Sequence, residues 1–157
     1  MRSVGIVVAR MGSERLPGKM AVDVHGKPAL IRVFERLRNS RELDEIILAT
    51  TVDSEDETLC RMATEEGVRV FRGSRDDVLG RVSGAATFAE AEVVAEITGD
   101  CLLLDWNLLD DALAIAKSGD YDYATNILAE YWSYPHGADA MVFRASAPKY
   151  GVSSIHS

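Results

Sequence analysis

The sequence predicts an α/β fold, a mostly parallel sheet covered by helices. Two observations predict it. Short apolar runs alternate along the chain with stretches whose apolar residues keep helical spacing. The first run, SVGIVVA at residues 3–9, is continuous instead of alternating, as a strand buried on both faces requires. Right-handed crossovers are then expected to carry each parallel strand to the next.

The remaining elements follow in order. Pro28 suits the first turn of a helix that points Leu30, Phe34 and Leu37 inward. DEIILAT, residues 44–50, reads as the second strand. Asp53 or Ser54 suits the cap of a helix with Leu59, Met62 and Ala63 inward, and Gly67 suits its end. VRVF (68–71) is a third strand, 76–90 a helix, and EVVAEIT (92–98) a fourth main strand. DWNLLDDALAIAKSG (105–119) is a capped helix, and YDYATN (121–126) and DAMVFRA (139–145) read as two further strands.

Composition narrows the function. A chain of 157 residues with 47% hydrophobic and 27% charged residues buries a core without disulfides or a structural metal. A net charge of −8 and a pI near 4.9 repel nucleic acid and anionic membrane surfaces, except where basic residues cluster. Neither is an expected partner. Cys60 and Cys101 form no CxxC pair and no disulfide framework, so a reducing cytoplasm is the expected compartment. The opening apolar run is too short for the core of a secretion signal, and no window reaches the roughly 18 apolar residues of a membrane span.

In parallel sheets of this kind, ligands sit beyond the carboxyl ends of the strands. Three polar stretches fall at such ends: Arg10 to Lys19, Thr50 to Asp53, and Gly99–Asp100. The first concentrates Arg10, Arg15 and Lys19 among glycines in an otherwise acidic chain. It is not a Walker A loop, because five residues separate Gly12 from Gly18 and Met20 stands where a magnesium-binding hydroxyl would follow Lys19. No GxGxxG occurs there either. Glycines that admit backbone N–H groups to an anion, with three cations, suit a triphosphate; the plain alternative is a solvated basic loop.

ARMGSERLPGK, residues 9–19, is similar to the N-terminal signature of the cytidylyltransferases that activate sugars as CMP derivatives, the acylneuraminate and 3-deoxy-manno-octulosonate enzymes among them. VFRGSRDDVLGR (70–81), ITGDCLLLD (97–105) and YPHGADAMVF (134–143) resemble most closely the spore-coat polysaccharide branch of that family. The likeness runs from residue 4 to about 145. It implies a three-layer α/β/α nucleotide-diphosphosugar transferase fold over residues 1–145, followed by a non-family tail at 146–157.

The resemblance also implies roles. A sugar hydroxyl would attack the α-phosphorus of CTP and release pyrophosphate. Arg10, Arg15 and Lys19 would bind the triphosphate and stabilise the charge that builds in the transition state. Lys19 is the first choice for that catalytic role. Ala9, Met11, Gly12 and Ser13 would complete the phosphate loop with backbone or hydroxyl donors, and Thr50 would contribute to the cytosine site. Gly73, Ser74, Asp77 and Arg81 are candidates for base or ribose contacts. In the plain alternative Ser74 or Asp76 caps a helix and Arg81 is surface charge. Asp100 matches the family's magnesium ligand, so Mg2+ is the expected cofactor; the plain alternative makes Asp100 the cap of the next helix. Asp139 matches the second aspartate of the branch's Asp-Gly-x-Asp-Val-Glu pattern and is the second expected metal residue.

Departures are specific. His136 replaces the first acid of that pattern, Met141 replaces its glutamate, and Leu102 stands where a proline is usual. His25 and His156 receive no role, Trp106 and Trp132 are expected to pack, and Cys101 is expected to be inert. The family pattern stops near Ala145, and the tail SAPKYGVSSIHS predicts no long helix. A shortened chain would expose apolar surface that a second copy covers, so a homodimer is expected. Function is read as transfer of CMP from CTP to a sugar, an acidic one, for surface polysaccharide synthesis. The alternative is a nucleotide-binding remnant without catalysis, and use of another base or a sensing role stays open.

Overall fold

The computed structural model describes residues 1–126 and 137–146. From the N-terminus it contains β1 (Ser3–Val8), a hairpin of β2 (Asp23–Val24) and β3 (Lys27–Pro28), α1 (Ala29–Leu37) and β4 (Glu45–Thr51). Next come α2 (Glu57–Glu65), β5 (Arg69–Gly73), α3 (Val78–Phe88) and β6 (Val93–Thr98). α4 (Trp106–Ser118), β7 (Tyr123–Thr125) and β8 (Met141–Arg144) complete the described elements. Single 3-10 turns at Lys19–Ala21 and Ser54–Asp56 lead into the hairpin and α2.

One six-stranded sheet in the order β5-β4-β1-β6-β8-β7 forms the middle layer. β1 runs parallel to both β4 and β6, and β4 parallel to β5; β8 is antiparallel to β6 and to β7. The continuous apolar run of β1 is explained by this central place. Val7 and Ala9 join the core formed with α1, α2 and α4, while Val4 and Ile6 join the core under α3. Helices therefore lie on both faces of the sheet, the three-layer arrangement that the resemblance implied.

Connectivity places the site. The chain steps outward from β1 to β4 to β5, then returns to lay β6 on the other side of β1. Loops leaving β1 and β6 consequently diverge and open a crevice at the carboxyl ends of these two strands.

Several local expectations are corrected. Pro28 precedes α1 as its cap residue and closes the hairpin, so its fixed φ serves an extended segment. That hairpin escapes periodicity analysis because its strands have two residues each; the signal is the turn, where His25 and Gly26 both take positive φ, 52° and 83°. Neither Asp53 nor Ser54 caps α2 through its side chain. Asp53 binds Arg75 at 3.0 Å instead. α3 is capped by Asp77, whose carboxylate accepts from the Gly80 N–H at 2.7 Å, and not by Ser74 or Asp76. Asp105 caps α4 as expected, accepting from the Asn107 N–H at 2.8 Å. The third strand extends to Gly73, two residues further than its apolar residues indicate. Trp132, His136, His156 and the tail from residue 147 onward lie outside the described residues.

Candidate functional site

A cavity of about 530 Å³ occupies the crevice. Its floor is Val8, Ala9, Thr98 and Gly99 from the ends of β1 and β6; its rim is the loop after β1, with Arg10, Ser13, Glu14, Arg15 and Lys19; Arg81 and Val78 of α3 close one side. Gly99 is required here by space: a Cβ would lie 2.8 Å from the Cβ of Ala9.

The loop is curled by its own backbone. The Met11 carbonyl accepts from the Ser13 N–H at 2.8 Å and the Gly18 N–H at 3.1 Å, which folds residues 11–18 into an arc. Gly18 sits at φ 72°, a conformation that costs glycine little. Lys19 emerges from the arc and pairs with Asp100, which stands at the end of β6. That hydrogen bond holds the Asp100 carboxyl below its ordinary value, against the opposing effect of burial.

Arg81 is the most constrained cation of the site. Its side chain is 3% exposed, its Nη1 donates to the Ser74 carbonyl at 2.7 Å, and its Nε has no hydrogen-bond partner. Burial, then the nearby Arg10, pull its pKa down, and among the described residues it makes no ion pair. Asp56 and Asp77 offset part of the cost of burying this charge from a distance, and the unpartnered Nε is left as a buried donor for a ligand oxygen. The walls carry four cations, Arg10, Arg15, Lys19 and Arg81, against two carboxylates, Glu14 and Asp100. In a chain of net charge −8, this crevice is the place built for an anion.

The cytidylyltransferase family model matches residues 4–135. This chain belongs to the cytidylyltransferase family. It is 33% identical over 116 residues to the 3-deoxy-manno-octulosonate cytidylyltransferase of Geobacter sulfurreducens, an alignment covering 73% of this chain and 45% of that protein. It is 33% identical over 127 residues to the spore coat polysaccharide biosynthesis protein SpsF of Bacillus subtilis, covering 77% of this chain and 53% of the relative. Among solved structures, a cytidylyltransferase from Leptospira borgpetersenii superposes with a TM-score of 0.89 at 30% identity, covering 99% of this chain and 65% of that one. The chain spans about half the length of the curated relatives it matches.

Against this family frame the site residues divide. Ala9, Arg10, Ser13, Arg15, Lys19, Arg81 and Asp100 meet at one cavity. Met11 and Gly12 shape the loop but face its outer side, toward Glu55 and Arg75. Thr50 is fully buried inside β4 and does not reach the cavity wall. Gly73 and Ser74 serve Arg81: the Ser74 carbonyl anchors its guanidinium, and a Cβ at Gly73 would crowd its Cγ at 3.1 Å. Asp77 is occupied as the cap of α3. The plain alternative fails on both counts, since the cap of α3 is Asp77 and not Ser74 or Asp76, and Arg81 is buried and not surface charge.

Asp100 does not cap α4, because Asp105 does. Asp139 is partly buried ahead of β8 and is not on the cavity wall. Burial, followed by the nearby Asp139 and Asp100 charges, pushes up the Cys101 thiol, which is 3% exposed and contacts the Thr98 hydroxyl at 2.8 Å. That thiol is protonated and unreactive at neutral pH. Among the described residues, no three His, Cys, Asp or Glu side chains gather as a metal cluster. Asp100 nonetheless fits Mg2+, which is commonly held by one or two carboxylates plus substrate phosphates and retained waters.

Sequence reasoning missed Asp56. Its buried carboxylate accepts from the Met11 N–H at 2.6 Å, 45 residues away in the chain. At the start of an apolar-periodic segment an aspartate reads as a helix cap, and no spacing rule signals a bond to a neighbouring strand's loop.

Proposed function

We propose that this chain binds CTP in the crevice beyond β1 and β6 and transfers CMP to a hydroxyl of an acidic sugar, releasing pyrophosphate, in the assembly of a surface polysaccharide. The observation that carries the reading is the buried Arg81, with an unpartnered Nε, beside three further cations in a cavity of about 530 Å³. That size is ordinary for a small-molecule ligand.

Arg10, Arg15 and Lys19 hold the triphosphate, and Lys19 exchanges Asp100 for a phosphate oxygen when the nucleotide enters. As the sugar oxygen adds to the α-phosphorus, negative charge grows on its non-bridging oxygens and then on the departing pyrophosphate. Fixed cations gain more from that state than from bound CTP, which lowers the barrier. Arg81 lies deeper, under Ser74, and orients the nucleoside end. Asp100 is the residue that would hold Mg2+, which when bound polarises the α-phosphate and acidifies the attacking hydroxyl. Asp139, partly buried ahead of β8, is the second candidate acid for the metal or the acceptor.

The sugar class and the pathway rest on the names of the relatives from Geobacter and Bacillus. Free Cys60 and Cys101 fit a cytoplasmic enzyme, and no helix among the described residues is long and apolar enough to cross a membrane.

Pyrophosphate release with each of the four nucleoside triphosphates, Mg2+, and a panel of acidic and neutral sugars is the test. Release with CTP and an acidic sugar alone is expected. CTP binding without release for any sugar would favour a binding-only protein, and absence of nucleotide binding would overturn the reading.

A further inference from the structure

Asp56 stands at the N-cap position of α2, where an aspartate ordinarily accepts from its own helix's free N–H groups. It makes no such bond. Its side chain turns away from the helix: one oxygen accepts from the Met11 N–H at 2.6 Å, and the other from the Thr51 N–H at 3.2 Å and the Thr51 hydroxyl. The residue is fully buried. Burial pushes its carboxyl up, but the Met11 and Thr51 donors prevail and hold it below its ordinary value, so it is ionised. The preceding residue, Glu55, lies against Gly12, where any Cβ would collide with its carboxylate. One short turn thus grips two successive residues of the arc that carries the site's cations.

We propose that Asp56 is a positioning residue for nucleotide binding: by fixing the Met11 amide to the end of β4, its carboxylate sets the curl of the loop that presents Arg10, Arg15 and Lys19 to the triphosphate. Met11 is the hub of that curl, since its carbonyl receives both the Ser13 and the Gly18 N–H. Asp56 does not line the cavity; its charge also reaches Arg81 through space, so an ester in place of the Met11 amide, which leaves that charge intact, isolates the contribution of the bond. The forgone helix cap is the local cost of the arrangement. The inference rests on the triphosphate reading of the loop.

The test uses the full chain with CTP and Mg2+, comparing wild type, Asp56→Asn and Ala63→Gly. Asp56→Asn keeps the shape but sets an amide NH2 against one of the backbone donors. Ala63→Gly weakens the same helix without touching the loop. Calorimetry is expected to give at least tenfold weaker CTP binding for Asp56→Asn and binding within twofold of wild type for Ala63→Gly at a similar loss of melting temperature. Amide hydrogen exchange in Asp56→Asn should accelerate at Met11, Ser13 and Gly18 while the β6 amides stay protected. Should Asp56→Asn fail to fold, an ester in place of the Met11 amide removes the same donor with Asp56 intact, and the same tenfold loss is expected. Unchanged CTP affinity in the folded variant overturns the positioning role and leaves the nucleotide reading standing. A wild type that binds no CTP overturns that reading and this inference together.

Discussion

Lys19 and Asp100 neutralise one another across the crevice, with side chains 29% and 52% exposed. A pair so open to water contributes at most about 1 kcal/mol to stability, so its value lies in what each partner does when ligand arrives. Lys19→Ala and Arg15→Ala should each weaken triphosphate binding by about 1.5–3 kcal/mol, the worth of a charge-assisted hydrogen bond, as titration calorimetry would show. Asp100→Asn should melt close to wild type, since Asp105 supplies the α4 cap, yet lose Mg2+-dependent turnover. Wild-type turnover with unchanged Mg2+ dependence would refute the metal role. Glu96, partly buried in β6, offers a pH test. Burial alone raises its carboxyl above the ordinary 4.5. Because the folded value is the higher one, the ionised form costs stability at neutral pH, and the cost fades as pH falls through the raised value. Glu96→Gln should therefore raise the melting temperature at pH 7, with the advantage vanishing in acid.

At the scale of elements, α3 shows how a site residue is carried by packing. The helix is rich in small residues, and Gly84 lets it approach β5 so closely that a Cβ there would lie 2.5 Å from the Phe71 ring. This approach brings Arg81, one turn earlier, over the crevice. Ala is a better helix former than Gly by about 1 kcal/mol, but overpacking a core contact costs about 1–3 kcal/mol. Gly84→Ala should thus be net destabilising in urea unfolding and should weaken nucleotide binding by displacing Arg81. A stabilised variant with full affinity would show that Phe71 yields freely. The caps illustrate the limits of local reading. Asp105 behaves as its sequence context indicates, whereas Asp53 and Asp56, in an equally cap-like context, are drawn off by Arg75 and Met11.

For the molecule as a whole, any ligand that binds only the native state stabilises it by mass action, by about 2.7 kcal/mol at a hundredfold excess over Kd. Thermal melting with Mg2+ should rise with CTP and much less with ATP or GTP. Equal shifts for all nucleotides would remove the base preference. The sheet also suggests association. On one face of the sheet α3 packs mainly against β5, β4 and β1, and its core reaches Val94 of β6 and, at its edge, Phe143 of β8. Partly buried Met141 and Phe143 and exposed Tyr123 lie on that face with Glu96. A second copy covering this face would make the chain a dimer. Sedimentation velocity across a concentration range should show it, and a single monomeric species would contradict it.

By itself the sequence determined the fold class, the order of the main strands and helices, and the loop where cations gather. Those features depend on local pattern: continuous apolar runs, helical spacing, and Arg10, Arg15 and Lys19 within ten residues of one another. Four motifs in order, at residues 9–19, 70–81, 97–105 and 134–143, also sufficed to indicate the family. Tertiary structure decided the rest. The return of the chain to place β6 beside β1 brings Asp100 to Lys19 from 81 residues away. Burial, which no local pattern reports, separates Arg81, left with an unpartnered Nε, from Asp77, spent on its own helix. The duty of Asp56 is settled by which strand lies alongside, and a short polar residue binds whichever donor the fold carries to it.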